Sequence, residues 1–194
     1  MSKSDHTGPK KERNKAIRWV VTVFISTILI SGIISLASEE IMSASNMLVA
    51  FIILLAIIFV GILFDIIGVS VTSADETPFH AMAARKVPGA KEAINLLRKA
   101  DKVSSICNDV VGDICGVVSG SASATIAVQV LQNFEFSWPR LVTLLMSALV
   151  AGLTVGGKAI GKSFAVNSST NIVHTVGKIL YWLHSFPRLG KKKK

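Results

Sequence analysis

Residues 47–71, MLVAFIILLAIIFVGILFDIIGVSV, decide the fold class of this chain. Asp65 is the only charged residue among these 25. A helix that crosses a bilayer needs about 20 predominantly apolar residues, so this run predicts a transmembrane helix. A carboxylate at membrane depth is costly unless it is paired or hydrated, and Asp65 therefore predicts either a partner or a functional role.

Three more apolar runs complete the pattern, at residues 19–37, 105–131 and 141–160. The chain has 194 residues, of which 51% are hydrophobic, and a single soluble core of this size could not bury so much apolar surface. Outside the spans, amphipathic helices are expected after Pro88 and over residues 169–187. The sequence predicts an all-α integral membrane protein with four transmembrane helices plus juxtamembrane amphipathic helices.

The ends of the chain are polar and basic. Residues 1–18 carry several Lys and Arg side chains and predict a disordered cytoplasmic tail, and residues 188–194 form a second basic tail. Residues 19–37 are an extra N-terminal span, longer than the apolar core of a usual signal peptide. We interpret that span as an uncleaved signal anchor, and cleavage near Ala37 is the alternative.

The loops predict the orientation of the spans. Loop 78–104 is rich in Lys and Arg, whereas loops 38–46 and 132–139 contain neither residue. Because Lys and Arg stay on the cytoplasmic side, we expect a multi-pass protein of the cell membrane with both termini in the cytoplasm. The net charge of +9 is explained by these flanking segments, and no basic stripe or stacking module predicts a nucleic-acid partner.

Small residues recur every fourth position on the third and fourth spans. The two stripes are Gly112, Gly116, Gly120 and Ala124, and Ala148, Gly152 and Gly156. Such spacing lets helices approach closely in lipid, either within one chain or between two copies. Together with the lipid bilayer itself, a second copy of the chain is therefore an expected partner, in a homodimer.

Several polar residues fall in or near the spans. They are Asp65, Asp75, Glu76, Asn108, Asp109, Asp113 and Lys158. Carboxylate, amide and hydroxyl oxygens together suit a hard cation such as Mg²⁺. Two structural alternatives stay open. Asp75, Glu76 and Lys158 could sit at helix ends in water, and Asp113 could pair with Lys158.

Nothing in the chain predicts an enzyme. It contains no P-loop, no HExxH or GxSxG motif and no Cys–His cluster. Cys107 and Cys115 both lie in an apolar stretch, where we expect them to act as small packing residues. A membrane enzyme therefore remains a weaker alternative without a motif to support it.

Four segments resemble motifs of one family. They are 73–77 (SADET), 89–97 (GAKEAINLL), 106–111 (ICNDVV) and 157–165 (GKAIGKSFA). In order and spacing they resemble the transmembrane domain of the CNNM/CorC (cyclin M) divalent-cation transporters, over about residues 47–187. The resemblance implies a dimer of three-span domains that binds or transports Mg²⁺, or Co²⁺, within the membrane. It implies Ser73 and Asn108 as metal ligands.

The chain departs from the family at several positions. Lys158 stands where the family has a Glu, Gly161 replaces a Pro, Asp109 replaces an Asn, and Gly112 replaces another Asn. A fixed ammonium would repel a divalent ion. The metal site could be rebuilt with Asp109 and Asp113. Alternatively, the ammonium occupies the place of the cation, and the protein is a degenerate, non-transporting membrane scaffold or regulatory partner.

The family's cytoplasmic CBS domains follow its membrane domain, whereas here only residues 188–194 follow the resembling region. A separate CBS-domain protein is therefore a candidate partner.

Overall fold

The computed structural model describes residues 9–134 and 138–189, and within these ranges the chain forms helices and no strand. The helices are α1 (Pro9–Ser43), α2 (Met47–Ser73), α3 (Thr77–Ala84), α4 (Ala90–Leu97), α5 (Ala100–Asn133), α6 (Pro139–Asn167) and α7 (Ser169–Leu189). Four of them, α1, α2, α5 and α6, are long and apolar enough to cross a membrane. The predicted all-α membrane protein with four spans is confirmed.

Helix α1 is longer than its apolar run at both ends. It begins at Pro9, so residues 9–18 are helical rather than disordered, and residues 1–8 lie outside the described part. Pro suits the first turn of a helix, and the Lys, Glu, Arg and Ala residues that follow are strong helix formers. At its other end α1 continues to Ser43, which reduces the predicted loop 38–46 to residues 44–46.

The end of α1 is fixed by packing. Met42 is fully buried, and its backbone carbonyl accepts a hydrogen bond of 2.9 Å from Nε2 of Gln129 on α5. Buried apolar residues of α1, α2, α5 and α6 form a common cluster at this end of the bundle. They are Met42, Ala50, Leu54, Ile58, Ala122, Ile126 and Val150. Burial of Met42 explains why the helix passes through the polar residues 38–40.

Helix α2 lies at the centre and packs on α5 and α6 through glycines. A Cβ at Gly161 of α6 would lie 2.9 Å from Cγ1 of Ile66, and Gly157 lies directly against Ile62. On another face of α2, a Cβ at Gly61 would lie 2.8 Å from Cβ of Cys115. The helices therefore approach more closely than side chains on both partners would allow.

The predicted small-residue stripes have a different environment. No other atom lies within 4 Å of a Cβ built at Gly116, Gly120, Gly152 or Gly156, apart from each helix's own backbone. In the single chain the space beside these four glycines is open, and Gly152 and Gly156 line a groove between α6 and α2. The stripes remain available for a second copy, and the homodimer stays a prediction.

Helices α3, α4 and α7 form a layer at the end of the bundle that carries loop 78–104. Val71, Phe79, Ala93 and Val173 are its buried core. Gly89 has a φ of 86°, and its Cβ would lie 2.5 Å from the backbone nitrogen of Lys178 on α7. Only a residue without a side chain fits there. The outer face of α7 exposes an apolar stripe: Ile179, Trp182 and Leu183.

The contact between α2 and α6 predicts the effect of adding bulk. Gly161→Leu should lower the free energy of unfolding by about 1–3 kcal/mol or more, because the new side chain overlaps Ile66 and Ile62. Gly32→Leu, on α1 and also without a neighbour within 4 Å, belongs to neither small-residue stripe; it is the control and should melt like the wild type. Thermal unfolding in detergent measures both. A Gly161→Leu variant as stable as the wild type would contradict this packing.

Candidate functional site

Part of α5 is not an α-helix. Residues Ser105–Gly112 form a π-helical segment, which includes Asn108 and Asp109. The segment lies against two glycines of α2: the Asn108 amide packs directly on Gly68, and a Cβ at Gly61 would lie 3.9 Å from the carbonyl oxygen of Gly112. π-helical turns are rare, and many of those known lie at functional sites. The polar groups around this segment are therefore candidates for a functional site.

Lys158 of α6 reaches the end of the π-helical segment. Its Nζ donates a hydrogen bond of 3.1 Å to the carbonyl oxygen of Gly112 and lies 3.9 Å from Oδ1 of Asp113. The Lys158 side chain is 19% exposed. A Cβ at Gly112 would lie only 3.4 Å from Nζ, so the glycine leaves room for the ammonium. Backbone and carboxylate oxygens of α5 thus hold a positive charge within the span.

Asp65 of α2 is 3% exposed and lies within its span, nearer to the Ser73 end. Its nearest cation is Lys162 of α6, whose Nζ lies 3.9 Å from Oδ2. That distance counts as an ion pair but is too long for a hydrogen bond. Oδ2 accordingly has no hydrogen-bond partner among the described residues. The half-exposed Lys162 therefore balances the charge of the carboxylate but does not give Oδ2 a hydrogen bond.

Asn108 is only partly satisfied as well. Its Nδ2 donates a hydrogen bond of 3.1 Å to Oγ of Ser104. Its Oδ1 is buried and lacks a donor within the described ranges. Buried polar atoms are nearly always paired, so an orphaned amide oxygen next to a π-helical segment calls for a ligand or a water.

The other predicted ligands lie elsewhere. Ser73 is exposed at the end of α2. Asp109 is exposed and lines a groove against α1, beside Trp19 and Phe24. In the described part of the chain, no hydrogen bond or ion pair joins either residue to Asn108. Asp113 is mostly exposed and is brought to Lys158, as the structural alternative anticipated.

A ready-made metal site is not present in the described ranges, where no three His, Cys, Asp or Glu side chains converge. The sequence-based reasoning also missed two contributors, the Gly112 carbonyl and Lys162. Lys158 and Lys162 are four residues apart and therefore share a helix face, and this spacing is the sequence feature that could have identified Lys162. A backbone carbonyl leaves no trace in the sequence.

No family model, curated protein or solved structure matches this chain. The likeness to the CNNM/CorC family therefore rests on the four sequence segments alone.

The SADET segment forms a structural corner after α2. Oδ1 of Asp75 accepts hydrogen bonds from the backbone N–H (3.1 Å) and the hydroxyl (3.0 Å) of Thr77, the first residue of α3. These bonds, the backbone one foremost, hold the pKa of the Asp75 carboxyl below its ordinary value. Oε1 of Glu76 contacts Arg98 at 3.1 Å and His80 at 3.2 Å. Both acids therefore organise the corner rather than the intramembrane cluster.

The lowered pKa of Asp75 gives a pH dependence with a defined sign. The ionised carboxylate stabilises the start of α3 at neutral pH, and this contribution is lost as the pH falls below the ordinary aspartate value of about 3.9. Amide exchange in α3, corrected for intrinsic rates, should then accelerate relative to α4. Asp75→Asn keeps an acceptor that does not titrate and should remove the pH dependence. Equal acid sensitivity in both proteins would contradict the assignment.

Proposed function

We propose that this protein binds a small divalent cation such as Mg²⁺ inside the membrane and transports it, in the manner of the CNNM/CorC family. One observation supports the proposal above all: the mostly buried Lys158 ammonium donates a hydrogen bond to the Gly112 carbonyl and lies 3.9 Å from the exposed Asp113 carboxylate. Oxygens that hold an ammonium at membrane depth can also bind a hard metal ion, because both interactions are electrostatic. Ionisable groups inside spans commonly mark ion pathways.

The same observation favours a second candidate function. If the Lys158 ammonium never leaves the Gly112 carbonyl, the site is permanently occupied, and the protein is a non-transporting scaffold or regulatory partner. The two functions differ in one respect, namely whether an external cation can displace the ammonium. Substitution of Lys158 therefore separates them.

The remaining parts of the proposal concern the setting of the site. The four spans lie in the cell membrane with both termini in the cytoplasm, as the basic loops predict. Two copies associate through the glycines of α5 and α6 that have open space beside them in the single chain. A separate CBS-domain protein is a candidate regulatory partner on the cytoplasmic side.

Lys158→Met and Lys158→Glu test the cation site. Removal of the ammonium should raise Mg²⁺ affinity at least about tenfold, and the added carboxylate should raise it further, because a positive charge beside a carboxylate lowers its proton affinity by about one to three pKa units and should weaken metal binding in the same direction. Calorimetric titration of purified protein measures the affinity, and Mg²⁺ flux into proteoliposomes measures transport. Lys91→Glu, an exposed charge reversal on α4, is the control and should change neither.

Two results would point away from cation transport. If Lys158→Met folds but binds no Mg²⁺, the oxygens around Gly112 are not a metal site. If the wild type shows no flux while Lys158→Glu binds Mg²⁺, the ammonium is a permanent occupant and the scaffold function is correct.

The orientation is tested by reporters. A fusion after Lys194 should report a cytoplasmic location, and one inserted in the loop 44–46 should report an external location. The reason is that the C-terminal tail is rich in Lys and Arg, which stay in the cytoplasm, whereas the loop 44–46 contains neither. Alkaline phosphatase and fluorescent-protein fusions give opposite readouts and check each other. An external C-terminus would overturn the four-span orientation.

A further inference from the structure

We propose that Asp65 and Asn108 supply the ligands of a divalent-cation site on the glycine face of α2, and that Lys162 closes this site when the cation is absent. The inference rests on the proposed function, since it names residues that bind and release the cation. Neither Asp65 nor Lys162 belongs to the ligands that the sequence motifs suggest.

The position of Asp65 on α2 is the first argument. Gly61, Asp65 and Gly68 are four and three residues apart and therefore share one face of the helix. Gly61 lies against Cys115 and the Gly112 carbonyl, and Gly68 lies against the Asn108 amide. Both neighbours of Asp65 on this face thus touch α5, one in the middle of its π-helical segment and the other at the end of that segment. Along this face Asp65 comes between the two glycines, and Oδ2 of its carboxylate lies 3.9 Å from Nζ of Lys162 on α6.

The second argument is the pair of unsatisfied oxygens. Oδ2 of Asp65 and Oδ1 of Asn108 are both buried and have no hydrogen-bond donor among the described residues. Asp65 is 3% exposed, so bulk water cannot serve it. Two buried acceptors without donors on adjoining surfaces of α2 and α5 are a site for a positive charge.

The donor set fits a divalent ion that keeps part of its water. Mg²⁺ is usually bound through one or two carboxylates, with water molecules completing the octahedron. One carboxylate and one amide oxygen match this mode, and no three His, Cys, Asp or Glu side chains of the described residues converge to form a softer site. The positive charges near the site come from α6, on which Lys158 and Lys162 are about one helical turn apart.

Lys162 has the properties of a removable closure. Its Nζ lies 3.9 Å from Oδ2 of Asp65, close enough for attraction but not for a hydrogen bond. Its side chain is 55% exposed, whereas that of Asp65 is 4% exposed. The lysine can therefore swing outward without losing a hydrogen bond to Asp65. A cation that enters displaces the ammonium, and the ammonium returns when the cation leaves, so Asp65 is never left without a positive charge.

The test uses Mn²⁺ as the probe and counts bound metal on the purified full-length protein by electron paramagnetic resonance. Lys162→Met should raise Mn²⁺ affinity at least about tenfold, because the competing ammonium is gone. The double variant Asp65→Asn with Lys162→Met has lost both charges and should lose this gain. Lys91→Met, an exposed lysine of α4, is the control and should leave affinity unchanged.

Folding is controlled separately. The Lys162→Met variant leaves Asp65 without a positively charged partner, so the melting temperature of this variant should fall. Addition of Mn²⁺ should restore it, whereas the melting temperature of the double variant should not change with Mn²⁺. If Lys162→Met does not fold, Lys162→Gln replaces it, because it also removes the charge but keeps a donor. Unchanged Mn²⁺ affinity in a folded Lys162 variant would overturn the inference, as would equally tight binding by the double variant.

The same assay on Lys158→Met distinguishes the two proposals. If Mn²⁺ affinity rises for Lys158→Met but not for Lys162→Met, the result supports the proposed function and contradicts the Asp65 site. A rise for Lys162→Met that Asp65→Asn abolishes would support the Asp65 site even if Lys158→Met shows none.

Discussion

The structure depends on one constraint, which is that charges on α2 and α6 must be neutralised by each other or by α5 inside an apolar bundle. Lys158 meets the Gly112 carbonyl and Asp113, and Lys162 meets Asp65. These contacts are possible only because glycines bring the three helices together. An intramembrane charge without a counter-charge costs several kcal/mol, so packing and electrostatics in this bundle cannot be separated.

The π-helical segment of α5 is where these requirements meet. It presents a carbonyl to Lys158 at one end and the Asn108 amide to α2 further along. In a regular α-helix each interior carbonyl accepts a bond from four residues ahead, whereas the wider π turn changes that pattern and alters which oxygens face outward. At the end of the segment, the Gly112 carbonyl accepts a hydrogen bond from a lysine of the neighbouring span.

The sequence was sufficient for the architecture, because runs such as 47–71 can be nothing other than long apolar helices. It was weaker at helix ends, where Met42 is buried by partners that only the fold brings near. It was weakest at the site. Asn108 and Asp109 are adjacent in the chain, yet successive side chains of a helical segment point in different directions, so one meets α2 and the other faces a groove beside α1. The contact of Lys158 with the Gly112 carbonyl and that of Lys162 with Asp65 depend on helix packing, which no motif records.

The central claim is that lysines of α6 hold intramembrane oxygen sites in the absence of a cation and leave when one binds. The distance between Nζ of Lys162 and the carboxylate carbon of Asp65, measured by solid-state NMR dipolar recoupling in lipid bilayers, tests this claim most directly. The account predicts a strong coupling in cation-free protein that disappears at saturating Mg²⁺. A coupling that persists unchanged at saturating Mg²⁺, or that is absent in both states, would contradict it.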